Sequence, residues 1–286
     1  MIDNNKKVAV ITGVSTGIGH GITRVLIDAG WIVFGSVRKP ADADRLSTEF
    51  GAAFQPLLFD VTDESGVADA TKKVRTELGG RTLDALINNA GVVFAGPLLL
   101  QPVAEFRSQI EINLVGTHIV TQAFAPLLGA DRTLTGTPGR IVNISSVAGK
   151  LSTPMMGAYS ASKYGLEGYS DALRRELVMY GIKVVIINPG SIKSPVFDKN
   201  DPVEKAYAGT DYANAIKVFL KVMHEGLRTG YTPEQLGKVA LTALTVAKPK
   251  IRYAVVPGRL QNWILPQLLP TRTVDAVMAK VFATSK

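Results

Sequence analysis

The chain contains no cysteine, which excludes disulfides, thiolate nucleophiles, iron–sulfur clusters and zinc-finger sites together. Histidine is nearly as scarce, with only His20, His118 and His224, so no His-rich catalytic metal site is expected and none is assigned. No run approaches the ~18 uninterrupted apolar residues of a membrane span. The opening residues 1–7 lack the apolar core of a secretory signal. These absences set the expectation of a soluble, cytoplasmic protein. Acid is scarce at one end: from Lys238 onward eight Lys/Arg meet the single acid Asp275, a local sum of +7, while the whole chain carries +8. Those basic residues are interspersed with apolar ones and form no aromatic–basic stripe, so nucleic acid is not an expected partner.

What is present is core-forming material. Apolar residues make up 46% of the 286 and charged residues 20%, enough for a large buried core. The length lies between one and two average domains, and a single α/β domain often reaches ~250 residues. Short β-branched runs alternate with helix-periodic segments. Strands are expected at 7–12 (KVAVIT), 31–37, 54–59, 83–88, 140–145 (RIVNIS) and 182–188 (IKVVIIN). Helices are expected at 18–29, 64–78, 103–128 and about 158–179, with a polar loop at 129–139. Near-continuous apolar strands between helices imply a doubly wound parallel sheet of Rossmann type, with its ligand crevice at the carboxyl ends of the strands. Residues 198–230 break the rhythm; they read as an irregular, Tyr-bearing stretch within a lid at about 195–230. The expected organisation is one catalytic unit over 1–258 and an amphipathic extension over 259–286.

Between the first strand and the first helix lies Thr12-Gly13-Val14-Ser15-Thr16-Gly17-Ile18-Gly19. Glycines there permit a tight turn and let the backbone approach a pyrophosphate, whose charge then rests on the helix N-terminus. The same residues also spell G-x-S-x-G, the nucleophile elbow of serine hydrolases, with Ser15 as nucleophile. Position argues against that reading, because only one strand precedes Ser15 and His224 is the sole plausible partner. A non-catalytic dinucleotide-binding regulator is the other alternative. The second strand ends in Val37-Arg38-Lys39 where an acid would favour NAD; the basic pair suits a 2′-phosphate and hence NADP(H). Asp60-Val61, after the third strand, is placed to hold an adenine amino group.

Tyr159 and Lys163 stand at i and i+4, a phenol and an ammonium on one helix face. The ammonium favours the phenolate, and the expected result is a lowered tyrosine pKa suited to acid–base work. Ser146 lies thirteen residues earlier, just past the fifth strand and so at the crevice. Ser145 is read as structural, and His118 as a helix-surface or interface residue. Asn88-Asn89-Ala90-Gly91 ends the fourth strand, and Asn113 lies in the long helix that follows.

With these motifs in this order, residues 7–194 resemble the classical short-chain dehydrogenase/reductase family. The resemblance implies that Tyr159 is the general acid/base and that Lys163 binds the nicotinamide ribose and lowers the tyrosine pKa. It further implies that Ser146 polarises the carbonyl, and that Asn113 holds a water linking Lys163 to solvent. Gly13, Ser15, Thr16, Gly17, Ile18, Gly19, Arg38, Asp60, Val61, Asn89, Ala90 and Gly91 would line the dinucleotide site. Pro189-Gly190-Ser191-Ile192-Lys193-Ser194 is similar to the family's P-G-x-I-x-T segment. Ser194 replaces its threonine, and Ile192 and Ser194 would hold the carboxamide.

The crevice is flanked by residues 92–100, 150–151, 154–156 and 195–197, with Tyr207, Tyr212 and Phe219 from the lid. Such walls favour an apolar ketone or secondary alcohol. The tail resembles those of steroid- and retinoid-type members of the family, which implies a carbonyl, hydroxysteroid- or retinoid-like substrate. In the extension, Val274, Val277, Met278, Val281 and Phe282 share one helical face after a proline-bracketed Trp-Ile-Leu segment. That face calls for cover, so a homodimer or homotetramer is expected, with peripheral membrane contact the less favoured alternative.

Overall fold

The computed structural model describes residues 3, 5–193 and 202–282. Its first half alternates strand and helix: β1 (Val8–Ile11), α1 (Gly17–Asp28), β2 (Ile32–Val37), α2 (Pro40–Phe50), β3 (Phe54–Leu58), α3 (Glu64–Leu78), β4 (Ala85–Asn88). A long helical rod follows, made of α4 (Val103–Ile110), a π-turn (Glu111–Val115), α5 (Gly116–Phe124) and a 3-10 turn (Ala125–Leu128). Next come β5 (Arg140–Ile144), α6 (Gly157–Glu176), β6 (Lys183–Pro189), α7 (Pro202–Ala206), α8 (Ala213–Thr229), α9 (Pro233–Thr245) and β7 (Arg252–Val255). A π-turn at Leu260–Ile264, α10 (Leu265–Leu268) and α11 (Thr271–Phe282) complete the described chain.

All seven strands are parallel, in the order β3-β2-β1-β4-β5-β6-β7. Alternate residues of each strand face opposite layers. Ala9 and Ile11 of β1, with Ile87 and Val142, pack against Ile22 and Leu26 of α1 and Leu236 and Ala240 of α9. Val8 and Val10, with Leu86 and Ile141, pack instead against Val67 and Val74 of α3 and Val120 and Phe124 of α5. The chain reverses its direction of sheet growth between β1 and β4, which opens a crevice at their carboxyl ends.

The expected strands and helices are present, with ends moved by a residue or two. Three elements lay outside the sequence reading: α2, α9 and β7. Proline opens α2, and a capping box between Thr232 and Gln235 opens α9. The irregular reading of 198–230 is corrected. Residues 194–201, which hold Ser194 and Pro195-Val196-Phe197, lie outside the described residues, but α8 is a regular helix of 17 residues. Ile216, Phe219, Leu220 and Met223 repeat at helical spacing and pack with Ala95, Met155, Met156 and Tyr207. The tyrosines at 207 and 212, just before this helix, made the whole stretch read as irregular.

The extension is also divided. Phe282 is buried in the α8 cluster with Met278 against it, whereas Val277 and Val281 are exposed. Among the described residues, no helix is long and apolar enough to cross a membrane.

Candidate active site

The crevice is a cavity of about 800 Å³. One end is walled by Gly13, Ser15, Thr16, Gly17, Ile18, Val37, Arg38, Asp60, Val61, Asn89, Ala90 and Gly91. Backbone geometry makes this wall. Gly13 turns at φ +69°, and a Cβ there would sit 2.9 Å from Ala90 Cα. A Cβ on Gly19 would sit 2.5 Å from Asn89 Nδ2, which donates to the carbonyls of Thr12 and Gly13. The loop is thereby held flat on the end of β4. Thr12 Oγ1 completes the clamp by accepting from the backbone of Asn89 and Ala90.

The N-terminus of α1 opens into this wall, with no acid in its first turn and no side chain capping it. Free N–H donors, the helix dipole and glycine-lined space fit a pyrophosphate. Arg38 stands at the rim, its side chain 68% exposed and its guanidinium 3.8 Å from Asp60 Oδ2. Asp60 Oδ1 accepts from the backbone and hydroxyl of Thr62.

At the centre of the cavity, α6 carries Tyr159 and Lys163 towards the end of β5. Lys163 Nζ donates to the Ile144 carbonyl at 2.9 Å and lies 5.7 Å from the centre of the Tyr159 ring. Burial pushes the ammonium down to about 8, against the opposing pull of Glu167. Tyr159 is moved up by burial, only partly offset by its hydrogen bond with Ser146. This corrects the expectation of a lowered phenol. The cost of desolvating a phenolate outweighs the chain's own favourable groups. Ser146 Oγ also accepts from Ala148 N at 3.1 Å, which fixes it at the mouth of the turn.

Asn113 is fully buried in the π-turn of the rod. Its Oδ1 accepts from Val92 N, while Nδ2 donates to Val92 O and Ser162 Oγ. Ser162 Oγ in turn donates to the Tyr159 carbonyl at 2.7 Å. Asn113 thus ties the cavity wall to the tyrosine helix, and the local widening of the rod brings it there. Pro189, Gly190 and Ile192 line the cavity beyond β6. Ser145 is buried but also lines the cavity, its Oγ without a hydrogen-bond partner among the described residues, and His118 is exposed, 3.4 Å from the Tyr169 hydroxyl.

Ser15 reaches the cavity, yet its surroundings are not those of a nucleophile. No hydrogen bond between Ser15 and a histidine is formed among the described residues: His20 bonds Glu49, and His224 Nε2 is buried without a partner.

Several lining residues were not reached from the sequence. Val222, Met223, Gly226 and Leu227 come from α8, and Asn262 from the final π-turn. The helical period of α8 was the available signal for the first four; no motif marks Asn262. Glu167 also went unread, although it stands one turn beyond Lys163 on the same face.

The chain is similar to known proteins over most of its length. The short chain dehydrogenase family profile matches residues 7–205. The chain is 38% identical over 272 residues to the NADPH-dependent 3-dehydrocapnine reductase of Ornithobacterium rhinotracheale, covering 95% of this chain and 96% of the relative. It is 33% identical to the 3-ketodihydrosphingosine reductase of Bacteroides thetaiotaomicron, covering 88% of each. A short-chain dehydrogenase from Streptomyces avermitilis superposes with a TM-score of 0.77 over the whole of both chains, at 27% identity. The chain therefore belongs to the short-chain dehydrogenase family and is an oxidoreductase of alcohols and ketones with a dinucleotide site.

Proposed function

We propose that this enzyme is an NADPH-dependent reductase of a ketone borne on an apolar chain, with Tyr159 as general acid. The observation that carries the reading is the convergence of Tyr159, Ser146 and Lys163 on one cavity whose far end is built for a pyrophosphate. When bound, NADPH supplies the hydride that adds to the carbonyl carbon. Ser146 donates to the carbonyl oxygen and polarises it. Tyr159 stands beside Ser146, and its raised pKa keeps it protonated through neutral pH, the state an acid requires. Its proton passes to the oxygen as the alcohol forms and is replaced from solvent. Lys163, charged below about 8, would hold the ribose and would stabilise the transient phenolate. Asn113 keeps the tyrosine helix and the Val92 loop in register, and a water beside it would connect Lys163 to solvent.

Arg38 and Lys39, with no acid at Val37, support NADPH over NADH. Gly13, Ser15, Thr16, Gly17, Ile18 and Gly19 would cradle the pyrophosphate. Asp60 and Val61 would face the adenine, Asn89 to Gly91 the ribose, and Pro189, Gly190, Ile192 and Ser194 the carboxamide. An apolar substrate is supported by Val93, Leu151, Met156, Met223 and Leu227 in the cavity wall. Two relatives named as reductases of a 3-dehydro and a 3-keto compound support reduction as the direction. Exposed Val103, Phe106, Tyr164, Val178 and Met179 on the rod and near α6 support assembly as a homodimer or homotetramer.

The test is absorbance at 340 nm with NADPH or NADH and 3-ketones of increasing chain length. The expected result is NADPH consumption that becomes more efficient as the chain lengthens. NADPH binding without oxidation by any ketone would overturn the reading.

A further inference from the structure

We propose that the buried Glu167 carboxylate is a positioning residue of the reacting group: through Asn188 it anchors the backbone of Ser146, and it sets a negative charge one helical turn beyond Lys163. The inference rests on the catalytic reading of Ser146, Tyr159 and Lys163 given above.

Glu167 is only 3% exposed, and a carboxylate so buried is costly unless several donors meet it. Here they do. Oε1 accepts from Asn188 Nδ2 at 2.6 Å, and the same amide nitrogen donates to the Ser146 carbonyl at 3.1 Å. Oε2 accepts from Arg252 Nε at 2.8 Å and lies 3.4 Å from Lys150 Nζ. Arg252 extends its other arm to Asp171 at 2.7 Å. One carboxylate thus joins α6, the end of β6, β7 and the turn that carries Ser146.

An apolar residue in such a position often stabilises a fold at least as well as an ion pair. The placement here points to function instead. Lys163 and Asp171 face Glu167 from its own helix, Lys150 from the turn after β5, and Arg252 from β7. Burial drives Lys163 down, and Glu167 is the group that opposes it. With the carboxylate present, the ammonium survives at neutral pH. Without it, Lys163 would lose its proton within the working range.

The experiment is the pH profile of NADPH-dependent ketone reduction. In the unmodified enzyme the alkaline limb should follow Lys163, near 8. Glu167→Gln should move that limb to lower pH by about one unit, a shift that ordinary loss of packing would not cause. Glu167→Asp keeps the charge and should leave the limb in place while lowering kcat. A limb that moves as far in Glu167→Asp as in Glu167→Gln would overturn the inference. Asn188→Ala leaves Glu167 and its charge in place and removes the bridge to the Ser146 carbonyl, so it should lower kcat with the limb unmoved. It keeps the inference testable if Glu167→Gln does not fold; an unchanged kcat in Asn188→Ala contradicts the inference. Tyr159→Phe, measured in parallel, separates the two levels. Turnover retained by Tyr159→Phe sinks the underlying reading, whereas a dead Tyr159→Phe with superimposable limbs in Glu167→Gln and the unmodified enzyme sinks this inference alone.

Discussion

On the cofactor side of the cavity, Gly13 turns with positive φ against Ala90, and Asn89 ties the loop to the end of β4. On the substrate side, Met156, Val222, Met223 and Leu227 present apolar side chains from a turn and a helix. The first wall is made of backbone that only particular residues permit. The second is made of side chains that many apolar residues would replace at similar volume. A dinucleotide has fixed charge and shape, so the wall that receives it demands fixed geometry. An apolar chain needs only area and volume, so its wall is free to vary.

Substitutions between the two walls should have the largest effect. Lys163→Ala removes a buried ammonium proposed to serve both sides, and should lower turnover ~10²–10⁴-fold while weakening cofactor binding. Steady-state rates and a fluorescence titration with NADPH would check both halves. A loss confined to one of them would assign Lys163 to a single wall.

On the cofactor wall, Val37→Asp combined with Arg38→Ala should reverse the preference for NADPH. A charge-assisted hydrogen bond contributes ~1.5–3 kcal/mol, and the exposure of Arg38 reduces this, so about tenfold weaker NADPH binding is expected. The ratio of kcat/KM for the two cofactors reads it. An unchanged ratio would remove Arg38 from the 2′-phosphate site and leave the fold untouched.

The smallest effect should fall on the substrate wall. Met223→Ala or Leu227→Ala withdraws half-buried apolar surface of about 1 kcal/mol, roughly fivefold in KM for a long-chain ketone. With a short ketone, both kcat and KM should be unchanged. Equal effects on short and long substrates would mean that α8 orders the site rather than contacts the chain.

The same contrast explains how far the sequence could be read. The cofactor wall was legible because Gly13, Gly17, Gly19 and Asn89 are the residue types that a tight turn and a backbone clamp require. Tyr159, Ser146 and Lys163 were legible by resemblance, and the fold has brought them to one cavity. Helix α8 was missed because its period at Ile216, Phe219, Leu220 and Met223 follows directly on the polar, tyrosine-bearing stretch around Tyr207 and Tyr212, with which it reads as one irregular segment. Glu167 was missed for another reason: its partners Asn188 and Arg252 are distant in sequence and meet it only in the folded chain. The direction of the Tyr159 shift was misjudged because the lysine's field is visible as spacing, whereas desolvation is not.

The most direct test of the central claim compares the unmodified enzyme with Tyr159→Phe in NADPH-dependent reduction of a long-chain 3-ketone, with NADPH affinity measured on both. Phenylalanine keeps the ring and removes only the hydroxyl proposed to give the proton. The account predicts an unchanged NADPH dissociation constant and a turnover reduced by ~10²–10⁴-fold. Near-normal turnover in Tyr159→Phe would contradict it.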